Sequence, residues 1–149
     1  MIAEGLSIAL VAWCLSALAL GFGAYLGARG LFDPRWAQNL VRLQPDAQGG
    51  GFAEFRAVYG GVFFGMDALA LLFVLAWIFG GESTIGAAAV GATAVIAASW
   101  FGAAFGRVWS VLRDEGTQTK FNRFSVAVEV VMFVLVGAPW LLWLFGVDG

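Results

Sequence analysis

Residues 57–81 read AVYGGVFFGMDALALLFVLAWIFGG, a run whose one charged residue is Asp67. A bilayer hydrocarbon core of about 30 Å takes about 20 consecutive apolar residues as a helix. The stretch therefore reads as a membrane span rather than as the core helix of a soluble domain. Three further runs have the same character: Leu6 to Ala28, Ile85 to Phe105 and Val126 to Phe145. Composition agrees, with 61% hydrophobic and 12% charged residues in a chain of 149 and a mean hydropathy of +0.87. A soluble domain carries about 25% charged residues, so this chain lacks the polar surface to face water all round. The sequence predicts an all-α fold, a four-transmembrane-helix antiparallel bundle forming a single integral membrane domain over residues 1–149. The expected helices cover about 6–28, 57–81, 85–105 and 126–145. The first run has no basic n-region or small-residue cleavage signal and exceeds a signal-peptide core in length, so it is expected to be retained.

The basic residues fall in two stretches. Arg29, Arg35, Arg42 and Arg56 form one; Arg107, Arg113, Lys120 and Arg123 form the other. Loops rich in Lys and Arg stay cytoplasmic, and the opposite side offers only Glu4, Glu82 and Asp148. Both termini are therefore expected outside, in the periplasm of a bacterial inner membrane. Trp77, Trp140 and Trp143 then fall near the outer boundary, and Trp36 and Trp109 near the inner one, as an aromatic belt requires.

Between the first two spans, Asp33-Pro34 is a helix start, with Asp at the N-cap and Pro at the first helical position. Trp36, Leu40 and Leu43 recur at i, i+4 and i+7, with Arg35, Gln38, Asn39 and Arg42 on the other face. This predicts a short amphipathic helix on the inner membrane surface, released by Pro45 and Gly49-Gly50-Gly51.

Cys14 is the one cysteine and there is no histidine. An internal disulfide, Cys/His metal sites, His-ligated haem and triads built on His are thereby excluded. No metal and no cofactor is expected.

Pairs of glycines four apart allow membrane helices to approach closely. Gly23/Gly27, Gly61/Gly65 and Gly102/Gly106 share one depth, which suggests close packing in the cytoplasmic half. The outer half is expected to splay, with Pro139 interrupting the last run and Gly80-Gly81 ending the second. At the inner depth stand Glu54 and Arg56 entering the second run, Arg107 closing the third and Glu129 about one turn inside the fourth. Tyr25, Tyr59, Ser110 and Asn122 lie at similar depth. Ionisable groups in spans have a partner or a function. Two readings are open: charges that staple helices or snorkel, or a pocket for a headgroup or anion.

Asp67 lies eleven residues beyond Arg56, hence about 16 Å deeper in an α-helix and near the midplane. Three turns plus about 20° would place both on one face, too far apart to touch. Asp67 is expected to be protonated, or hydrogen-bonded to groups on other helices, with Ser16 and Thr93 at the right depth. It is either a neutral packing contact or a proton or cation relay.

Two motifs occur together: Glu54-Phe55-Arg56-Ala57-Val58-Tyr59-Gly60-Gly61 with Gly65, and Gly106-Arg107-Val108-Trp109-Ser110 continuing to Gly116. With Asp33-Pro34 upstream and Glu129 in the last run, the chain resembles the bacterial membrane family DUF4345 over most of its length. The resemblance implies a signature on Glu54, Arg56, Tyr59, Gly60, Gly61, Gly106, Arg107, Ser110 and Glu129, and no particular reaction. Asp67 falls where it implies a small residue, and Glu115 is an addition to the expected Asp-Gly turn.

Three function classes fit. The first is a non-catalytic subunit or scaffold that packs against itself or a larger membrane complex. The second is a lipid-, quinone- or small-molecule-binding protein or transporter using Arg56, Tyr59, Arg107 and Glu129. An enzyme restricted to Glu, Asp, Tyr, Ser and Arg chemistry ranks last, since no nucleophile–base pair is recognisable. Membrane lipids are expected partners; nucleic acid is not, because side-of-membrane sorting already explains the basic loops.

Overall fold

The computed structural model describes residues 7–48 and 50–146. Glu4, Gly49 and Asp148, and the start of the first run at Leu6, lie outside the described residues. Every regular element among them is helical. These are α1 (Ile8–Phe32), α2 (Pro34–Val41), α3 (Phe52–Gly80), α4 (Ser83–Arg113) and α5 (Lys120–Leu144). Four of them, α1, α3, α4 and α5, are long and apolar enough to cross a membrane, which fits a multi-pass membrane protein.

The helices outrun the apolar windows that announce them. α3 starts at Phe52 rather than 57, α4 continues to Arg113 rather than ending near 105, and α5 starts at Lys120 rather than 126. Hydropathy marks where lipid contact ends, whereas a helix continues as long as its backbone bonds are made and its end is capped. Thr119 caps α5 by accepting from the Asn122 N–H at 3.1 Å. Arg113, Lys120 and Arg123 are thus helical residues rather than loop residues. Pro139 does not interrupt α5, which runs on to Leu144; membrane helices tolerate the missing donor when neighbours compensate. Gly81, at φ 68°, does end α3.

Within α3, residues Phe55–Val62 form a π-helix between α-helical Phe52–Glu54 and Phe63–Gly80. Such i→i+5 winding is rare and usually confined to one turn. Across this winding Arg56 and Asp67 both meet α1, Arg56 at the Leu31 carbonyl and Asp67 at Gly23, with Arg56 exposed and Asp67 buried.

α2 begins as the sequence predicts, with the Asp33 carboxylate accepting from the Trp36 N–H at 3.1 Å. It ends earlier than the i+7 pattern implies. Arg42 adopts a left-handed conformation at φ 61°, so Leu43 leaves the helix. The residue that α2 buries is Ala37, while Leu40 and Leu43 are exposed.

The chain divides into two compact units. One comprises residues 20–72 and the other the preceding residues to 19 together with 73–149. In the first unit, α1 and α3 meet backbone to backbone. A Cβ on Gly27 would overlap the Phe64 backbone, one on Gly30 would lie 2.8 Å from the Tyr59 carbonyl oxygen, and one on Gly60 2.5 Å from the Leu31 nitrogen. In the second unit, α4 and α5 lie side by side with rising numbers on one matched to falling numbers on the other. Arg107 meets Glu129, Phe101 meets Phe133 at 5.5 Å, and a Cβ on Gly137 would lie 3.1 Å from that of Ala97. The buried positions are dominated by small residues, among them Ala12, Ser16, Ala19, Ala24, Ala70, Ala89, Ala97 and Ala104. Lipid supplies no hydrophobic drive between helices, so close van der Waals approach through small side chains holds such proteins together.

Candidate functional site

The polar residues that the sequence placed at one depth resolve into local bonds. Arg107 and Glu129 are brought together: the guanidinium donates Nε–H to both carboxylate oxygens (3.0 and 3.1 Å) and Nη2–H to Oε1 (2.8 Å). A two-pronged Arg–carboxylate contact is among the stronger side-chain interactions. Glu129 is 6% exposed. Around it the α4–α5 turn is tied by side chains. Arg107 Nη1 donates to the Asn122 amide oxygen at 3.4 Å, and that amide's nitrogen donates to the Thr117 carbonyl at 2.6 Å. The Thr117 hydroxyl lies 2.9 Å from the Ser110 carbonyl and 2.8 Å from that of Asp114. Ser110 thus enters through its backbone.

Glu54, Arg56 and Tyr59 are used elsewhere. The Glu54 carboxylate accepts the Gly51 N–H at 2.6 Å, bracing the entry to α3, where Gly51 has φ 111°. Arg56 donates to the Leu31 carbonyl at the end of α1, where a helix leaves its last acceptors unpaired. Tyr59 stacks on Phe63 at 6.4 Å and tilts against Phe55 at 5.8 Å. Of the four charges Glu54, Arg56, Arg107 and Glu129, the ion pair is Arg107–Glu129. Tyr25 accepts from Arg29 at 3.2 Å, whose guanidinium lies 4.7 Å from the Trp36 ring centre.

Ser16, Thr93 and Asp67 are all buried. The Ser16 hydroxyl donates to the Val136 carbonyl at 2.9 Å, and that of Thr93 to the Val90 carbonyl at 2.9 Å. Each hydroxyl has one donor, and each is committed to a backbone acceptor. Asp67 is 1% exposed, and its Oδ1 is buried with no hydrogen-bond partner. Among the described residues, it is the one with a buried side-chain oxygen left without a hydrogen-bond partner. A Cβ on Gly23 would overlap the Asp67 carboxyl, so Gly23 makes the room that group occupies.

The glycine pairs divide. Gly23, Gly27 and Gly60 stand at close approaches. A Cβ on Gly61 would touch only the Arg56 carbonyl of its own helix, and on Gly65, Gly102 or Gly106 would meet nothing within 4 Å. Sequence reasoning missed Gly30, although it follows Gly23 and Gly27 at i+7 on the same face. It missed Gly86 as well, where a Cβ would lie 2.8 Å from the Trp77 ring.

A second feature absent from the sequence reading is a groove of about 720 Å³ in the larger unit. Trp13, Trp77, Trp140 and Trp143 wall it, with Gly86 and Gly91 among its small residues; Trp13 and Trp77 pack at 6.1 Å. Its size is that of a small-molecule site. Among the described residues, no three His, Cys, Asp or Glu side chains cluster so as to hold a metal ion.

No family model, no curated protein and no solved structure matches the chain.

Proposed function

We propose that the protein is a small multi-pass membrane protein of the bacterial inner membrane that acts without catalysis, as a helix-packing subunit joining a second copy of itself. The observation that carries this is the open face of α4. Gly91, Val95, Ala98, Gly102 and Gly106 follow one another at helical spacing and are all exposed. At the three glycines an added Cβ meets nothing. Small residues facing lipid are what a membrane helix offers to another helix, whereas Gly23, Gly27, Gly30 and Gly60 are already engaged within the chain. The polar set supports the same function, because Glu54, Arg56, Arg107 and Glu129 each bond to a partner within the chain.

The four spans are taken as an antiparallel bundle with both basic stretches cytoplasmic and both termini periplasmic, and α2 as an amphipathic helix on the inner surface. Basic residues there attract anionic lipid by about 1 kcal/mol each. The resemblance to DUF4345 is consistent with this assignment, since its signature residues other than Glu129 fall towards the start of α3 and the end of α4. A second role, binding a lipid or a quinone, is favoured by the tryptophan-walled groove.

Energy transfer between donor- and acceptor-labelled copies in liposomes tests self-association. Transfer above the random-proximity level is expected for the wild type, with loss in the double variant Gly102→Ile/Gly106→Ile. That variant should fold, since both positions open onto free space. Wild-type transfer at the random level, or an unchanged double variant, refutes the assignment.

A further inference from the structure

We propose that Asp67 is a proton-binding site in the seam between α1 and α3, a neutral carboxylic acid that exchanges its proton. The geometry carries this independently of self-association. Asp67 lies near the middle of the span Phe52–Gly80 and is 1% exposed, with Oδ1 enclosed and unbonded. An ionised carboxylate is an acceptor at both oxygens, and enclosing one without a donor carries the full desolvation cost of a charge. A neutral acid has one acceptor oxygen and one O–H instead, so the unanswered oxygen carries no charge.

The seam is shaped to the group. Gly23 lacks the Cβ that would overlap the carboxyl, standing 2.7 Å from its Cγ and 3.0 Å from Oδ2. Just along the seam, Gly27 and Gly30 bring α1 against the α3 backbone, so the acid is held between two closely apposed helices.

The titratable groups of the elements forming the seam are all accounted for. On α1, Cys14 is exposed, and Tyr25 and Arg29 bond to each other. On α3, Glu54 holds the Gly51 N–H, Arg56 the Leu31 carbonyl, and Tyr59 its stack with Phe63. None of them neutralises Asp67. A metal cation is a poor occupant: hard cations take about six or more oxygen ligands, and among the described residues no cluster of three metal-ligating side chains exists. A proton needs one oxygen.

Infrared difference spectroscopy of the full chain in an ester-free detergent reads the acid directly, by subtracting Asp67→Asn from the wild type. Asparagine has the neutral acid's shape, so the variant is expected to fold with a melting temperature near that of the wild type. The expected result is a carbonyl band of a protonated carboxylic acid at neutral pH, lost in Asp67→Asn, shifted in deuterium oxide and bleached as pH is raised. Gly23→Ala, which intrudes on the carboxyl, should displace the band. Absence of the band at neutral pH would mean an ionised group and overturn the proposal. A band that neither shifts in deuterium oxide nor responds to pH would mean a sealed packing contact and overturn it too. Loss of the band on adding sodium chloride at fixed pH would assign the site to sodium instead.

Discussion

At the scale of single residues, most polar side chains described in the helices are held by a partner within the chain, Asp67 Oδ1 being an exception. Arg107 and Glu129 make the strongest such contact, with three short bonds between them. Glu129→Gln keeps the shape and removes the charge, leaving a guanidinium with a weakened partner. Breaking a buried pair from one side costs about 3–5 kcal/mol; the Arg107 side chain is 34% exposed, so a loss of about 3 kcal/mol is expected from unfolding in detergent. Replacing both by leucine should restore much of that stability, because neither charge is then left alone. Equal loss in the single and double variants would show that the pair acts through something other than mutual neutralisation. The sequence placed Arg107 and Glu129 at one depth, so their pairing was legible. Arg56 was not legible in the same way: its acceptor is a backbone carbonyl at Leu31, and carbonyls carry no sequence signal.

Element boundaries separate two kinds of information. Spans were legible because each apolar run is longer than a bilayer core requires. Helix ends were not, since α4 and α5 continue through Arg113 and from Lys120 under the control of caps and turn bonds rather than hydropathy. The π-helical segment Phe55–Val62 was equally hidden. It surrounds Gly60, the glycine against which the Leu31 backbone lies, whereas the four-residue spacing to Gly65 had pointed to Gly61. Gly60→Ala is expected to destabilise the protein by about 1–3 kcal/mol through overpacking. Gly65→Ala, which meets open space, should be neutral or stabilising by up to about 1 kcal/mol from helix propensity. Thermal unfolding of the two variants checks this, and the reverse order would mean that α1 and α3 pack through the other glycine face.

For the whole molecule, two kinds of glycine face matter. One face, on α1 and α3, is closed within the chain and encloses Asp67. The other, on α4, is open, and it is the face we propose a second copy covers. Membrane association gains little from burying apolar surface, so a face of small residues is a better sign of a partner helix than an exposed leucine would be. The same chain carries a tryptophan-walled groove. Native mass spectrometry of the detergent-extracted protein reads both features in one spectrum and tests self-association most directly. A dimer, reverting to monomer in Gly102→Ile/Gly106→Ile, is the expected result, and retained lipid or quinone would mark the groove as occupied. A wild-type monomer across detergents and concentrations would contradict the assignment of α4 as the joining face.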